Sequence, residues 1–583
     1  MIYENYIRVL YIDLALEKIS VVQREDLCEY LGGVGVASKL LEENLKPELD
    51  VFDEEQPIVF AIGAASSIFP VITKTVAMFR SPLTGELGES YAGGRMALTL
   101  FLAGYDAVVI KGKAKKPSYI SISRNDVKFK DARAIWGMSS DEIGRVIRER
   151  EPGTGKRSII RIGPAGENMV SYASVCVDTY RHFGRLGLGA MFGSKNLKAI
   201  SIIGDRNLPV KNFKEYFKVY QEIYKRVTDT EIMAKYHDVG TPINIAPLNA
   251  LGALPTKNLR QNVFEHGDSI SGEAFAEKNL VRKMACTGCP VGCIHIGQFR
   301  REFDKGHEYE AVSVGYDYEL IFSLGSFLGI KNTEEVLELI EVVEHLGMDA
   351  MSVGVVLGWA TEALLKKYVT EEETLVPLAF GNTKSYLKAL EYIAYQKNDF
   401  YKALSEGADK ASDVYGGKDF AMTFGKNEMP GYHTGYGAIV GASVGARHSH
   451  LCNGGYSVDQ SMKELDKDKL VESLFSEEKE RCMLNSLTIC LFARKVYDRE
   501  TIIAALNSIG YNYTDEDLTE IGKRIYRTKL RIKKSLGFDQ NAIKLPKRLF
   551  ETPSMHGLLD EKIAYELIDM YNKKLEELMA EEA

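Results

Sequence analysis

The sequence lacks a basic excess: 73 Lys and Arg residues stand against 81 Asp and Glu residues, which gives a net charge of −8. Proteins bind nucleic acid largely by releasing counterions through a basic surface, so nucleic acid is excluded as a predicted partner. The sequence also lacks an apolar run long enough to span a membrane, and residues 1–10 lack the basic and apolar regions of a signal peptide. We therefore expect no membrane partner either.

Cysteine is scarce, with eight residues in 583, and three of the eight are clustered between positions 286 and 293. A small secreted domain held by disulfides would carry far more cysteine in far less sequence. A clustered minority of thiols is typical of a metal centre in a reducing compartment. We expect a cytoplasmic protein.

A dinucleotide-binding fingerprint is missing as well, because no GxGxxG follows a strand with an acidic residue about twenty positions later. Glycine is nevertheless abundant in three loop regions, 80–95, 163–168 and 184–198. Glycine lets backbone N–H groups approach an anion, and Arg185 or Lys195 could add positive charge. Ordinary turn chemistry is the alternative explanation for these loops.

The first two hundred residues contain short β-prone runs at 108–110, 119–122, 159–162 and 200–203, separated by glycine. From about position 210 the pattern becomes helical. One helix is predicted to begin after Asn332 as N-cap and to end at Gly347. It would present Asp349 from a rigid position, and we see no internal repeat in the sequence.

The three clustered thiols, Cys286, Cys289 and Cys293, are spaced C-x2-C-x3-C among glycine and proline. A loop of this kind can direct three thiolates at one point, either for zinc or for an iron–sulfur cubane that takes a fourth, remote ligand. Structural zinc normally needs a second pair of ligands, and no second pair is found, so the spacing favours iron–sulfur. Inert loop thiols and His295 as a substitute ligand remain open at this point.

A glycine- and histidine-rich segment covers positions 429–455 and contains His448 and His450. Two histidines at i and i+2 can bind a metal as a pair. One catalytic histidine beside one structural histidine is the alternative.

Several motifs occur in an order that resembles the tungsten-dependent aldehyde:ferredoxin oxidoreductase family, from the first strands to about Gly557. They are SPLTG at 81–85, GG at 93–94, AGYDA at 103–107, GKA at 112–114, GR at 184–185 through KAI at 198–200, LPTKN at 254–258 and the cysteine loop. The resemblance implies an α+β fold. A β-rich pterin-binding base domain, 1–208, would be followed by two mainly α-helical domains, 209–415 and 416–583.

The resemblance also implies the cofactors. Two pyranopterins would hold one tungsten, with Mg²⁺ bridging their phosphates, and a [4Fe-4S] cluster would pass electrons to ferredoxin or to a small iron–sulfur subunit. The implied cluster ligands are Cys286, Cys289, Cys293 and Cys490. Tungsten is not distinguished from molybdenum by any side chain, because the dithiolene ligands belong to the pterin.

The family holds its pterins with two D-x-x-G-L repeats, which correspond here to 344–349 and 485–490. The implied pterin-binding residues are Lys74, Tyr91, Gly93, Gly94, Arg185, Gly187, Glu344, Met348, Asp349, Asn485 and Ile489. Four of them depart from the family pattern. Glu344 and Asn485 replace aspartates, Lys74 replaces an arginine at the phosphate side, and Tyr91 replaces an asparagine. Lysine keeps the positive charge but loses the two-pronged geometry of arginine.

The resemblance places the catalytic acid–base pair at Glu319 and His450. Glu310, within an upstream look-alike at 308–310, competes with Glu319, and His448 competes with His450. The arginine of the family's R-G-x-x-H motif is displaced to Arg447.

Three functions follow as hypotheses. The first is oxidation of a small aldehyde with water to a carboxylic acid, with ferredoxin as electron acceptor. The second is a catalytic subunit of a larger tungsten redox complex, which reduces an aromatic thioester or is coupled to flavin and iron–sulfur partners. The third is a zinc-stabilised binding protein without redox activity. A homodimer or a hetero-oligomer is compatible with the first two.

Overall fold

The computed structural model describes residues 4–124, 126–153, 155–208, 210–231, 233–304 and 306–581. In chain order the strands are β1 Ile7–Asp13, β2 Lys18–Arg24, β3 Ile58–Ile62, β4 Thr75–Arg80, β5 Leu87–Ala92, β6 Ala107–Lys111, β7 Ser118–Ile122, β8 Val127–Asp131, β9 Arg157–Arg161, β10 Val175–Val177, β11 Arg181–Phe183, β12 Leu197–Ile203, β13 Leu280–Met284, β14 Ile294–Asp304, β15 Glu308–Tyr316, β16 Thr423–Phe424 and β17 Asn427–Glu428.

The α-helices are α1 Gly33–Asn44, α2 Met96–Ala103, α3 Ser140–Arg150, α4 Pro164–Glu167, α5 Leu188–Ser194, α6 Phe213–Thr228, α7 Ile245–Ala250, α8 Gly272–Lys278, α9 Tyr318–Leu324, α10 Thr333–Leu346, α11 Ala350–Leu365, α12 Glu371–Thr374, α13 Thr383–Ala394, α14 Asp399–Ser405, α15 Ala408–Tyr415, α16 Tyr436–Val444, α17 Gly455–Ser461, α18 Lys467–Ser486, α19 Arg499–Ser508, α20 Asp515–Ser535, α21 Arg548–Glu551 and α22 Glu561–Ala580. Strands dominate the N-terminal part and helices the remainder, so the predicted α+β class is confirmed.

The N-terminal part is built from two sheets with the same topology. The first has the order β2-β1-β6-β3-β4-β5, and the second, read from its far edge, has the order β8-β7-β12-β9-β10-β11. In each sheet one pair is parallel, β1 with β6 and β7 with β12, and the other pairs are antiparallel. The chain therefore contains a structural repeat here, which the sequence analysis did not detect.

The two sheets share one apolar core. Helix α2 contacts strands of both, and Phe60 of the first sheet packs against Phe183 of the second with ring centroids 5.5 Å apart. The core continues into the helical part, because one cluster of buried apolar side chains extends from Ile7 to Leu578. Burial on this scale, at about 25 cal/mol per Å² of apolar surface, is the main stabilising contribution to the fold.

The middle of the chain is not purely helical, contrary to the pattern expected after position 210. Strands β13, β14 and β15 form an antiparallel sheet, and the β14–β15 hairpin ends in exposed residues such as Phe303 and Tyr309. Charged residues alternate along these strands, and this weak amphipathic pattern was not recognised as strand.

The C-terminal helices return to the N-terminal sheets. Helix α1 packs against both α18 and α20. Two isolated bridges also join the parts, one between Ile72 and Ile489 and one between Ala173 and Met348. Among the described helices, none has the length and apolar character needed to cross a membrane.

Candidate cofactor and active site

The three-cysteine loop and the remote Cys490 are both hydrogen-bonded to the backbone of Val71 in the base. The amide of Val71 donates to the carbonyl of Gly288 at 3.2 Å, inside the three-cysteine loop, and the carbonyl of Val71 accepts from the amide of Cys490 at 3.1 Å. The loop is held from its other side too, because the amide of Thr287 donates to the carbonyl of Gly94 at 3.1 Å. These bonds bring the remote Cys490 to the loop, which is the arrangement that a cubane with three local ligands and one distant ligand requires.

The cysteine thiols are poorly solvated. Burial raises the pKa of Cys289 to about 12 and that of Cys293 to about 11, and the neighbouring cysteines contribute to both shifts. Thiolates are the metal ligands, so cations at this position must compensate their charge. Burial opposes the ammonium of Lys74, but the charges of Cys490 and Cys286 outweigh that effect and raise its pKa.

Gly93 is required by the close approach of the cysteine loop. A Cβ atom at this position would lie 2.5 Å from the Sγ atom of Cys286, a separation that real Cβ atoms do not show. Gly93 therefore lies against the cluster loop, as does Lys74, whose Nζ atom is 3.5 Å from the same Cβ position. No described group of three or more His, Cys, Asp and Glu side chains is close enough to hold a single metal ion.

The two pterin-binding repeats lie at two equivalent helix ends. Helix α10 ends at Gly347 in the left-handed conformation, and after α18 Thr488 has a φ of 58°. Met348 and Ile489, the matching residues of the two repeats, form the two isolated bridges to the base described above. Each half of the duplicated base thus receives one helix end.

Close approach of these helix ends depends on glycine in both halves of the base. A Cβ atom on Gly163 would lie 2.5 Å from the carbonyl oxygen of Leu346, and one on Gly63 would overlap the carbonyl oxygen of Leu487. Gly63 follows β3 and Gly163 follows β9, so the two glycines hold the same place in the two sheets. The backbone of the base that supports the two predicted repeats is therefore itself duplicated.

Asp349 is held firmly in the first repeat. Its Oδ2 atom accepts from Ser352 at 2.6 Å and from Nε of Arg185 at 3.1 Å, and its Oδ1 atom caps α11 through Met351. The Nη1 atom of Arg185 is buried without a hydrogen-bond partner among the described residues. That donor can serve a bound polar group.

Glu344 and Asn485, the first residues of the two repeats, differ in their surroundings. Burial raises the pKa of Glu344 to about 8, against the opposing charge of Arg181. Asn485 is buried in a small cavity whose wall includes the cations Arg447, Arg481 and Lys529. Asparagine is compatible with these cations, although it supplies no negative charge to them.

Tyr91 and Gly187, two of the predicted pterin-binding residues, contact other protein groups in the structure. The hydroxyl of Tyr91 donates to Oε1 of Glu89 at 2.7 Å, and its ring lies 5.1 Å from the guanidinium carbon of Arg447. Gly187 begins α5 with a φ of 88°, in contact with the carbonyl of Ser171.

Glu319 and His450 lie together. The Nε2 atom of His450 is 3.2 Å from Oε1 of Glu319, and Oε2 of Glu319 accepts from the amide of Gly431 at 3.1 Å. Glu319 lies in the first turn of α9, whose N-cap is Asp317. A helix N-terminus favours a carboxylate, but burial is stronger and raises the pKa of Glu319 to about 8.

Burial also acts on the histidine of this pair. It lowers the pKa of His450 well below its usual range, and the charge of Arg185 adds to the effect. Tyr432 and Tyr456, stacked with centroids 4.2 Å apart, lie 5.2 and 5.8 Å from the His450 ring. Burial therefore favours the uncharged form of both members of the pair.

The competing candidates lie elsewhere. The Nδ1 atom of His448 lies 2.9 Å from the carbonyl of Ser443, and its Nε2 atom lies 3.1 Å from Nζ of Lys533 and 3.0 Å from Glu86. Glu310 is on exposed strand β15, paired with Arg301 at 2.7 Å. The side chains of both residues thus contact groups other than Glu319 and His450.

Two further residues singled out from the sequence have other roles. Lys195 is buried and donates to the carbonyl of Glu54 at 2.8 Å, so it is not available to an anion, contrary to expectation. His295 lies 3.0 Å from the carbonyl of His237 through Nε2, beside the cysteine loop.

Arg181 is a central residue that the sequence analysis missed. Its side chain lies 3.5 and 3.7 Å from the positions that Cβ atoms on Gly93 and Gly94 would occupy. Its charge acts on Cys293, Glu344 and Asp317. Arg181 therefore interacts both with the cysteine loop and with Glu344 of the first repeat. Its position on the short strand β11, just before the glycine run at 184, was the one available signal.

Two family models cover nearly the whole chain. The N-terminal domain of aldehyde ferredoxin oxidoreductase matches residues 9–204, and domains 2 and 3 of the same family match residues 218–577. The tungsten-containing aldehyde ferredoxin oxidoreductase of Pyrococcus furiosus is 32% identical over 578 residues, covering 95% of this chain and 93% of the relative. The protein from Thermococcus kodakarensis is 31% identical with the same coverage.

Two other similarities come from different enzymes. The aliphatic sulfonate oxidoreductase, WOR-like subunit, of Pyrococcus furiosus is 30% identical, covering 89% of this chain and 84% of that protein. Among solved structures, the active site complex BamBC of benzoyl coenzyme A reductase, bound to 1,5-dienoyl-CoA, matches with a TM-score of 0.83 and 20% identity, covering 97% of this chain and 93% of that chain. At that identity the structural match shows the fold alone.

The fold and the matches define an oxidoreductase of the tungsten–pterin class. The chain belongs to the aldehyde ferredoxin oxidoreductase family. The family implies a tungsten–pterin cofactor and a [4Fe-4S] cluster, and the residues present fit both groups. Four cysteines that neighbour one another suit the cluster, and two equivalent helix ends, with an unpartnered arginine donor at one of them, suit two pterins.

Proposed function

We propose that this enzyme oxidises an aldehyde with water to the carboxylic acid, releasing two electrons and two protons for each aldehyde. The electrons leave through the [4Fe-4S] cluster to ferredoxin. The observation that carries the proposal is the Glu319–His450 pair, an acid and a base 3.2 Å apart beside the residues of the first pterin repeat. Such a pair can serve the two proton transfers of the reaction.

The cofactor residues are assigned as follows. Cys286, Cys289, Cys293 and Cys490 would hold the cluster, and the two repeats, 344–349 and 485–490, would hold the two pterins, with Mg²⁺ between the pterin phosphates. When bound, the tungsten–bispyranopterin supplies the two-electron acceptor. Arg181 and Lys74 offset the negative charge between the cluster and the first pterin.

The side chains of the pair divide the proton chemistry. The pKa of Glu319 lies near 8, so its carboxyl is protonated at neutral pH and can donate to the carbonyl oxygen of the aldehyde. Uncharged His450 keeps a ring nitrogen free to accept a hydrogen bond from the attacking water and so orients it. These roles are the reverse of those expected from unperturbed pKa values, in which histidine donates and glutamate accepts.

Metal analysis of anaerobically purified protein, combined with turnover of an aldehyde panel, tests the proposal. We expect about four irons and one tungsten per chain. Cys490→Ser should lose most of the iron, whereas Cys28→Ser, at a half-buried cysteine outside the cluster loop, should keep it. Zinc as the sole metal, or a tungsten-loaded enzyme inactive on every aldehyde, would contradict the proposal.

A second candidate is a catalytic subunit of a larger redox complex. It is favoured by the 30% identity to a protein described as a WOR-like subunit. Affinity purification from the native host under anaerobic conditions tests it, because a stoichiometric iron–sulfur partner would be recovered with the chain.

A further inference from the structure

The surface next to Cys490 carries positive charge and exposed aromatic rings. The segment after Cys490 contains half-buried Phe492 and Arg494 and exposed Lys495. Across from it lies the π-helix Met233–Val239, which carries exposed Lys235 and half-buried Tyr236. We call these five residues, Lys235, Tyr236, Phe492, Arg494 and Lys495, the basic–aromatic face.

The rings of this face lie near two of the predicted cluster cysteines. Tyr236 stacks on Phe492 with centroids 4.1 Å apart and an interplanar angle of 13°. Charge on Cys490 and Cys293 acts on the hydroxyl of Tyr236. Phe492 follows Cys490 by two positions in the chain, so the ring pair lies beside the predicted cluster site.

The positive charges of the face are only weakly compensated, because Glu231 attracts the ammonium of Lys235 without forming an ion pair with it. None of Lys235, Arg494 and Lys495 forms an ion pair within 4.0 Å with a described residue. Nζ of Lys235 lies over the Tyr236 ring at 5.5 Å from its centroid, and both Arg494 and Lys495 repel its charge. These three cations form a basic patch on a chain whose net charge is −8. Such a patch steers and orients an acidic partner.

Helix α6, which packs against α19, carries an exposed apolar strip. Phe213 is 63% exposed and Phe217 is 42% exposed, and the two rings are stacked 5.5 Å apart. On the buried side of α6, Tyr216 packs against Phe69 at 5.3 Å. Tyr497, adjacent in space to both Tyr216 and Cys289, links this strip to the cluster loop.

We propose that the basic–aromatic face and the α6 strip together dock an acidic iron–sulfur electron carrier. The carrier would receive one electron at a time from the cluster beside the Tyr236–Phe492 pair, so two carriers are reduced per aldehyde oxidised. This inference rests on the proposed function, because it needs electrons to leave through the cluster.

The exposed apolar strip distinguishes this partner from a small phosphate-bearing ligand such as a coenzyme A thioester. A small anion could use the three cations, but it would leave the exposed Phe213 and Phe217 uncovered. A protein partner covers both, and an interface normally combines apolar contacts with a charged rim.

Charge reversal tests the proposal. Lys235→Glu/Lys495→Glu removes two cations and leaves Arg494, whose guanidinium donates to the carbonyl of Leu491 and supports the cysteine segment. The matched control is Lys402→Glu/Lys410→Glu, the same charge change at exposed lysines of α14 and α15. Phe213→Ser/Phe217→Ser tests the apolar strip separately. Binding of a purified acidic [4Fe-4S] ferredoxin to each cofactor-loaded protein is measured at low and high salt.

We expect the charge-reversal variant to bind ferredoxin at least about tenfold more weakly at low salt and to lose most of the salt dependence. The phenylalanine variant should bind more weakly at both salt concentrations, and the control variant should bind as the wild type does. Iron content and aldehyde oxidation with the small dye benzyl viologen should be unchanged in all three.

Wild-type affinity of the charge-reversal variant would overturn the proposal, as would weakened binding of a coenzyme A thioester with unchanged binding of ferredoxin. Absence of ferredoxin binding to the wild type would also overturn it. If the wild type fails to oxidise aldehydes with viologen, the proposed reaction is wrong, while the binding comparison still decides the docking face.

Discussion

At the scale of single residues, the catalytic assignment depends on the burial of Glu319 and His450. In water these two side chains are charged over different pH ranges. Glu319 and His450 both resist ionisation, because little water reaches either. A neutral acid beside a neutral base is suited to exchange protons with a substrate without a large change in local charge.

Replacing the acid tests its role. Glu319→Gln keeps the shape of the side chain and its contact with Gly431 but cannot release a proton, so turnover should fall by about 10²–10⁴-fold with the metal content unchanged. Glu310→Gln, at the exposed carboxylate of the upstream look-alike, is the control and should retain wild-type turnover. The two rates are compared by viologen-linked assay, and equal rates would remove Glu319 from the mechanism.

The pH dependence of turnover follows from the same carboxyl group. Because Glu319 must carry the proton to donate it, and its pKa is raised to about 8, the rate should be constant below pH 7 and should fall as the pH rises through about 8. The measurement is kcat from pH 6 to pH 10 with a dye acceptor. A rate that instead rises through this range would show that the carboxylate is the active form.

Residue types and spacing predicted the three local cysteines, because a short C-x2-C-x3-C loop needs only local geometry. The family pattern was needed for Cys490, Glu319 and His450, since each comes from a distant part of the chain. Arg181 was found only in the structure: one arginine before a glycine run resembles any surface arginine until Gly93, Glu344 and Asp317 are placed around it.

At the scale of elements, a buried ionic group joins the N-terminal base to helix α20. Nζ of Lys533, on α20, lies 3.2 Å from Oε2 of Glu86, just before β5, and His448 lies between the two elements. Burial would raise the pKa of Glu86, but Lys533 and His448 outweigh it and lower the pKa to about 2. The group therefore fixes the position of α20 on the base.

Removing this carboxylate should destabilise the protein in a pH-dependent way. Glu86→Gln leaves Lys533 buried without its partner, and we expect a loss of about 3 kcal/mol at pH 7. Because the folded pKa is depressed, the contribution of Glu86 is present above its unfolded pKa of about 4.3 and is lost as pH falls through about 2, so the deficit should shrink between those values.

Denaturant unfolding at pH 7 and pH 3 measures both effects. Glu265→Gln, which breaks an exposed pair with Lys257, is the control and should cost less than about 1 kcal/mol. An equal deficit for Glu86→Gln at both pH values would show that its role is packing rather than charge.

The elements also show where sequence patterns were insufficient. The β-prone runs correctly predicted β6, β7, β9 and β12, because buried strands are rich in β-branched residues. The duplication of the two sheets was not detected, since it is a property of strand order and of glycine at matching positions. The β14–β15 hairpin was missed because its charged, exposed strands have little apolar pattern.

At the scale of the whole molecule, the base and the helical parts share one core. Helix α1 packs against α18 and α20, and the bridges at Ile72 and Ala173 join the base to both helix ends. The proposed domains, 1–208, 209–415 and 416–583, are therefore not expected to be independent folding units.

This sharing predicts cooperative unfolding. The full chain should unfold in one calorimetric transition, and a fragment of residues 1–208 should remain without a cooperative transition, because the side of α1 that faces α18 and α20 would be exposed. Calorimetry and circular dichroism of both proteins make the comparison. A sharply melting fragment would show that the base folds alone.

The hydrogen bonds of the Val71 backbone determine when the cysteine site can form during synthesis of the chain. Val71 is bonded to the cysteine loop through its amide and to Cys490 through its carbonyl, so residues from early, middle and late synthesis meet at one residue. During translation the last cysteine leaves the ribosome long after the other three. Until then the loop has no fourth thiol to complete a cubane. With the proposed ligand set, the cluster site can be completed only after the chain has been synthesised past residue 490.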